Sequence, residues 1–167
     1  MKRKRILALF LAAVSCLSLA VSASAAGTTT RKATDFRDYD RTAWYAEAVS
    51  AAVDNGLLYG KSATVIDPNG DMTRAEMAAI INRSFGCYKI TDISQYKDVS
   101  KSKWYYKDVA LAVQMGTYNG RSASAMAPDA PISRQEAMTV VARALELDYD
   151  TYAKTDLSAF SDRGKIS

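Results

Sequence analysis

The 167-residue chain contains no histidine. That absence takes away the commonest general base and the commonest zinc ligand. No nucleophile elbow, phosphate-cradling glycine loop or cysteine cluster replaces it. Carboxylates are plentiful, but none is paired by a distinctive spacing. Cysteine is almost as scarce: Cys16 lies in an apolar leader, so Cys87 stands alone and no intrachain disulfide can form. A lone cysteine just after a helix reads as a small buried apolar residue. Net charge is missing too. The formal +4 belongs to Lys2, Arg3, Lys4 and Arg5, and the remaining 18 basic residues balance 18 acidic ones. A basic isoelectric point from such a leader is no argument for nucleic-acid binding. "DPNGD" at 67–71 brushes against a calcium loop, but its glycine is fourth and Ala78 stands at position twelve. It reads as a turn, and neither metal nor cofactor is expected.

The one long apolar run is at the front. Four basic residues precede the stretch from Ile6, which closes on Ala23-Ser24-Ala25. That is the pattern of a secretory signal peptide, residues 1–25, cleaved after Ala25 or Ala26. The alternatives are an uncleaved anchor, since the stretch is nearly long enough to span a bilayer, and lipoprotein cleavage before Cys16. Against the second, Ala13 sits where a larger aliphatic is usual. The exported remainder, about 140 residues, suffices for one compact domain.

An internal repeat governs the chain from residue 36 onward. Residues 36–83 overlay 96–143 at a constant offset of 60, without a gap. Asp38, Trp44, Tyr45, Val49, Ala52, Val53 and Gly56 have identical partners at Asp98, Trp104, Tyr105, Val109, Ala112, Val113 and Gly116. So do Gly60, Ser62, Ala63, Pro68, Arg74, Glu76 and Arg83. Ordinary residue usage would give about three such identities. This is a duplication.

Each unit reads as helix, loop, helix. Thr42 and Ser102 are placed to start the first helices, which Gly56 and Gly116 stop in the left-handed conformation. After a glycine- and proline-punctuated loop, Thr73 to Glu76 and Ser133 to Glu136 form capping boxes in which hydroxyl and carboxylate each take the other residue's amide. Met77, Ile80, Ile81 and Phe85 are the expected buried stripe of one second helix; Ala137, Val140, Val141 and Leu145 serve the other. Residues 26–35 read as a polar linker, and Phe160 and Asp162 open a third, truncated unit at 159–167.

Phe36, Asp38, Trp44, Val49, Gly56, Gly60, Pro68 and Thr73-Arg74-Ala75-Glu76, with Arg83 beyond, resemble the S-layer homology (SLH) motif. Residues 36–86 form one motif and 96–147 a second, which carries Ser133-Arg134-Gln135-Glu136. Ile66 and Met126 stand where the family commonly has an aromatic. The resemblance implies an all-α fold in which three motifs form a pseudo-threefold helical prism. Its grooves would bind secondary cell-wall polymers, commonly ending in a pyruvylated amino sugar.

Arg74 and Arg134 are the sharpest candidates. A cation on the first turn of a helix faces the positive end of its dipole. Free amides there form an anion site, and a guanidinium beside them adds a fork matched to a carboxylate. Trp44 and Trp104 read equally well as groove walls or core anchors. Asp38, Asp98, Gly60 and Gly120 complete the glycan-binding candidates, whereas Thr73, Glu76, Ser133 and Glu136 are capping residues. Arg83 and Arg143, near helix C-termini, read as structural. The expectation is a non-catalytic module on the cell wall of a secreted protein, holding an anionic wall polymer or peptidoglycan-linked glycan. The alternative is the anchoring front end of a secreted wall or polysaccharide hydrolase. No nucleic acid, and no membrane after leader removal, is expected as a partner; self-association is a route to completing the prism.

Overall fold

A computed structural model describes residues 31–148 and 156–165. The signal-peptide reading lies outside them. Among the described residues there are four α-helices: α1 Ala46–Asp54, α2 Arg74–Phe85, α3 Tyr106–Gln114 and α4 Arg134–Ala144. Short 3-10 turns occupy Ala33–Asp35 and Arg163–Lys165. No strand is present among them, only an isolated antiparallel bridge between Thr73 and Pro131. The all-α reading holds, and none of these helices is long and apolar enough to cross a membrane.

Both capping boxes form. Thr73 Oγ1 accepts from the Glu76 amide at 3.2 Å while Glu76 Oε2 accepts from the Thr73 amide at 2.8 Å. Ser133 and Glu136 repeat this at 3.2 and 2.9 Å. The first helices start later than expected. Asp40 Oδ1 accepts from both the amide and the hydroxyl of Thr42, at 2.8 and 2.7 Å. Thr42 thus closes a side-chain turn, and the helix begins only at Ala46, with Tyr45 as an N-cap lacking a side-chain bond. In the second unit the Ser102 amide reaches Ser100 Oγ instead, and α3 begins at Tyr106. Helix ends follow the glycines. Beyond α1, the Gly56 amide reaches the Val53 carbonyl at 2.9 Å and Leu57 reaches Ala52 at 2.8 Å, a Schellman pair. Gly86 closes α2 with φ 63°, but its counterpart in the second unit is Glu146, which takes φ 51° with a side chain.

Packing runs across the repeat. Helix α2 packs chiefly on α3 and also on α4, while α1 and α2, like α3 and α4, make no close backbone approach. The buried face of α2 is therefore narrow: Ala75, Ala78, Ala79 and Ile81, with Arg74 and Asn82. Alanines let α3 come close, and Asn82 Nδ2 donates to the Asp108 carbonyl at 2.8 Å. The expected stripe shifts accordingly; Phe85 and Leu145 are exposed, and Ala144 takes the buried place in α4. One core joins Ala75, Ala78 and Ala144 to Ile93, Tyr105, Val109, Tyr118, Met126 and Val140. A smaller one holds Ala33, Phe36, Val53 and Ile66. Ala33, in the stretch read as a linker, thus packs into the core of the first repeat.

The local turns before each repeat recur three times. Phe36, Tyr96 and Phe160 donate their amides to Ala33, Ile93 and Leu157 at 3.2, 3.0 and 3.0 Å. Asp156 gathers Ser158 as Asp92 gathers Ser94. Cys87 is only half-buried; its thiol lies 3.0 Å from Met115 Sδ, and burial pushes its pKa up.

Candidate functional site

Because the two helices of a repeat make no close backbone approach, a groove opens beside each second helix. Groove one, about 510 Å³, lies between α1 and α2 and is floored by Val49, Ile66 and Ile80. Its rim carries Tyr59, Lys61 and Arg83, and Trp104 reaches in from the following repeat. Arg83 Nη1 donates to the Leu57 carbonyl at 2.9 Å while its guanidinium lies 4.1 Å above the Tyr59 ring. Lys61 Nζ sits 2.8 Å from Glu76 Oε1 and also holds the Asp71 carbonyl at 3.1 Å. Trp104 stands edge-on to Tyr105 at 5.4 Å and stays 59% exposed. Tyr105 beneath it is buried, its hydroxyl donating to Asp129 Oδ2 at 2.8 Å. Burial and the Asp129 carboxylate push that phenol up to about 12.

Groove two, about 250 Å³, is smaller and more polar, with Arg121, Arg143, Thr139 and Glu136 beside α4 and Arg74 at one end. Arg74 comes from the preceding repeat and is only 5% exposed. All three of its guanidinium nitrogens are engaged. Nε donates to the Met126 carbonyl at 3.0 Å, Nη1 to Glu136 Oε1 at 2.9 Å, and Nη2 to the Asn119 carbonyl at 3.1 Å. The Tyr118 ring lies 5.2 Å away. Burial pushes the Glu136 carboxyl up, but the Ser133 amide, Arg121 and Arg74 together hold it below the ordinary glutamate range. Burial likewise opposes, and Lys61 and Thr73 outweigh it, at Glu76.

These contacts correct the clamp expected at Arg74. The first amides of α2 are not open to an anion, because Arg74 and Ala75 donate to the Ala130 and Pro128 carbonyls, both at 2.9 Å. Arg74 and the N-terminus of α2 form the joint between repeats. Arg134 holds the same capped position on α4 and is exposed, with no hydrogen bond or ion pair among the described residues. The tryptophans are not core anchors. Trp104 walls groove one, and Trp44 is 95% exposed.

Asp38 and Asp98 are tied to backbone. Asp38 accepts from the Ile66 and Asp67 amides at 3.0 and 2.7 Å. Asp98 accepts from Met126 and Ala127, the latter at 2.6 Å. The second amide of each pair belongs to a non-glycine residue at positive φ, Asp67 at 58° and Ala127 at 54°. Each carboxylate thus holds a backbone bend, an architectural role beside the glycan contact expected of it. Backbone amides supply most of the force holding Asp38 below the ordinary carboxylate range. Gly60 and Gly120 line grooves one and two, and a Cβ on Gly60 would come within 2.6 Å of the Phe36 ring and the Val65 carbonyl. Their first role is close packing of the loop.

Sequence reasoning missed Lys61, Tyr59 and Arg121. The overlay carried the signal for two of them: Lys61 and Arg121 are a basic pair at offset 60, each beside its capping glutamate. The two residues share a charge but not an identity. Arg83 is both structural, through Leu57, and part of the groove.

The S-layer homology domain family matches residues 35–78 and 95–138, more than half of the chain. The chain belongs to the S-layer homology domain family. Among its relatives is a surface-layer 125 kDa protein of Lysinibacillus sphaericus, 36% identical over 126 residues, covering 73% of this chain and 11% of that protein. An endoglucanase of Bacillus sp. (strain KSM-635) is 26% identical over 98% of this chain and 18% of its own length. A cell surface protein of Thermoanaerobacter kivui is 28% identical over 81% of this chain and 18% of its own. The SLH chain therefore spans less than a fifth of each of these relatives.

Proposed function

We propose that this SLH chain is a non-catalytic anchoring module that holds its protein on the cell wall, with groove one as its binding site for an anionic wall polymer or peptidoglycan-linked glycan. One observation carries the choice of groove: a half-exposed indole, Trp104, stands in the same open cavity as Lys61 and Arg83. A sugar ring offers apolar C–H faces to an aromatic surface, and a pyruvyl ketal or other acidic group offers a carboxylate to the cations. Groove two is half the volume, and Arg74 already fills one end of it. A surface-layer protein and a cell surface protein among the relatives agree with a place at the cell surface.

The test is co-sedimentation with purified wall sacculi, before and after extraction of the secondary polymer. The wild-type chain should pellet with intact sacculi only. Trp104→Ala should weaken binding about tenfold, as for an anchor residue at the centre of a site, and leave the melting temperature unchanged. Equal sedimentation of wild type and variant, or undiminished binding after extraction, would refute the reading. A second reading is that the module fronts a secreted polysaccharide hydrolase, favoured by the endoglucanase match across 98% of this chain. The gene sequence beyond Ser167 separates the two, and in both this chain only binds.

A further inference from the structure

The two grooves are built on equivalent positions but carry different charge. Groove one sets Lys61 and Arg83 against Asp67 and Glu76, so its lining is neutral. Groove two sets Arg74, Arg121 and Arg143 against Glu136 alone, a surplus of two positive charges. Glu136 already lies 2.9 Å from Arg74 and 3.1 Å from Arg121 before Arg143 is counted. The difference comes from residues within each repeat. Arg83 is pinned by the Leu57 carbonyl and the Tyr59 ring. Sixty residues on, Asn119 stands in place of Tyr59 and offers no ring. Arg143 is half-buried, with no hydrogen bond or ion pair among the described residues. Tyr118 adds an independent sign. It lines groove two at 3% exposure, and its hydroxyl meets no partner among the described residues. Buried hydroxyls in that state are rare.

We propose that groove two is a second binding site, taking a phosphate group that is free or carried as an ester on a sugar or polyol. A phosphate dianion matches the surplus of two charges. Arg143 offers its whole donor fork. Arg121 has Nη1 left, since Nε and Nη2 are held by Glu136 and the Pro131 carbonyl. Arg74 acts through its charge alone, its nitrogens being committed to the joint. A planar carboxylate fills one guanidinium fork, whereas a tetrahedral phosphate carries oxygens in several directions and takes donors from several sides. Tyr118 supplies a neutral donor. Burial pushes its phenol well up, so it keeps its proton wherever phosphate is doubly ionised. A cavity of about 250 Å³ with Asn119 in place of Tyr59 suits a compact anion better than a stacked sugar ring. This site is separate from groove one and does not rest on the glycan reading there.

Calorimetric titration of the full chain with sodium phosphate, at fixed ionic strength, tests this at about pH 8, above the second phosphate pKa of about 6. Phosphate should bind saturably, about tenfold more tightly than pyruvate, a planar monocarboxylate. Arg143→Gln and Tyr118→Phe should each weaken phosphate binding by about tenfold. Neither should lower the melting temperature without phosphate, because Arg143 makes no bond and Tyr118→Phe removes an unpartnered hydroxyl. Trp104→Ala, in groove one, should leave phosphate binding unchanged, so failure of this proposal and failure of the glycan reading are distinguishable. A comparison with glucose 1-phosphate identifies the source: a tighter ester assigns the group to a sugar or polymer, tighter inorganic phosphate to the free ion. No saturable binding, equal affinity for pyruvate, wild-type affinity in either groove-two variant, or loss of phosphate binding in Trp104→Ala would each overturn the proposal.

Discussion

Replacing Arg74 by alanine separates a structural joint from a ligand arm. The side chain is 5% exposed, and its three nitrogens hold two backbone carbonyls and a carboxylate at 2.9–3.1 Å. Truncation leaves the Met126 and Asn119 carbonyls without their donor, and a buried acceptor so abandoned costs about 1–3 kcal/mol. Breaking a buried ion pair from one side generally costs about 3–5 kcal/mol. The lower end applies here, because Glu136 keeps Arg121 at 3.1 Å and its place in the capping box. We therefore expect Arg74→Ala to lose about 3 kcal/mol, a large fraction of the roughly 5–15 kcal/mol that holds a domain together.

Urea unfolding read by circular dichroism measures the loss, and a thermal melt should fall by about 10 °C or more. Arg134→Ala is the internal control: same residue type, same capped position, exposed, and so within about 0.5 kcal/mol of wild type. Arg74→Lys should recover less than half of the deficit, since one ammonium on a flexible stem cannot reach three separated acceptors at once. An Arg74→Ala chain that unfolded together with wild type would refute the joint as a source of stability.

The same geometry sets three further outcomes. Glu146→Gly should stabilise the chain by about 0.5–1 kcal/mol in thermal melts, because Glu146 holds φ 51° where the first repeat uses Gly86; a lower melting temperature would contradict it. Gly60→Ala should cost about 2–3 kcal/mol, with φ 80° and neighbours at 2.6 Å, whereas Gly86→Ala, in open space, should cost about 1 kcal/mol; equal losses would count against close packing as the reason for Gly60. Both capping glutamates have folded pKa values below the ordinary range, so their contribution is complete above the unfolded-state value and is lost as pH falls through the folded one. Stability measured in urea should therefore hold from neutral pH down to about pH 5 and drop below it, less steeply in Glu136→Gln; a pH-independent midpoint would exclude these carboxylates as contributors.

What could be read in the sequence, and what could not, divides by distance along the chain. The capping boxes span four residues, and hydroxyl, carboxylate and amides lie within one turn, so Thr73-x-x-Glu76 states its own geometry. The glycine stops are equally local. Arg74 is the opposite case. Its partners lie 45 to 62 residues away, and two of them are carbonyl oxygens that every residue possesses. Nothing in the letters at 119 and 126 marks those two oxygens as acceptors. The first amides of an isolated helix are free, but here the Ala130 and Pro128 carbonyls fill those of α2.

A constant offset of 60 states which residues are equivalent, but not which repeat each one serves. Trp104 belongs by sequence to the second repeat and by position to the groove of the first. Arg74 belongs to the first and closes one end of the groove of the second. A residue shared by every repeat is as well explained by the joint between units as by a site within one. Arg74 and Arg134 show the difference directly: the same residue on the same capped turn is buried where a following repeat receives it and exposed where none is described. Recurrence alone cannot distinguish joint from ligand site. Burial, together with the effect of each arginine on stability, can.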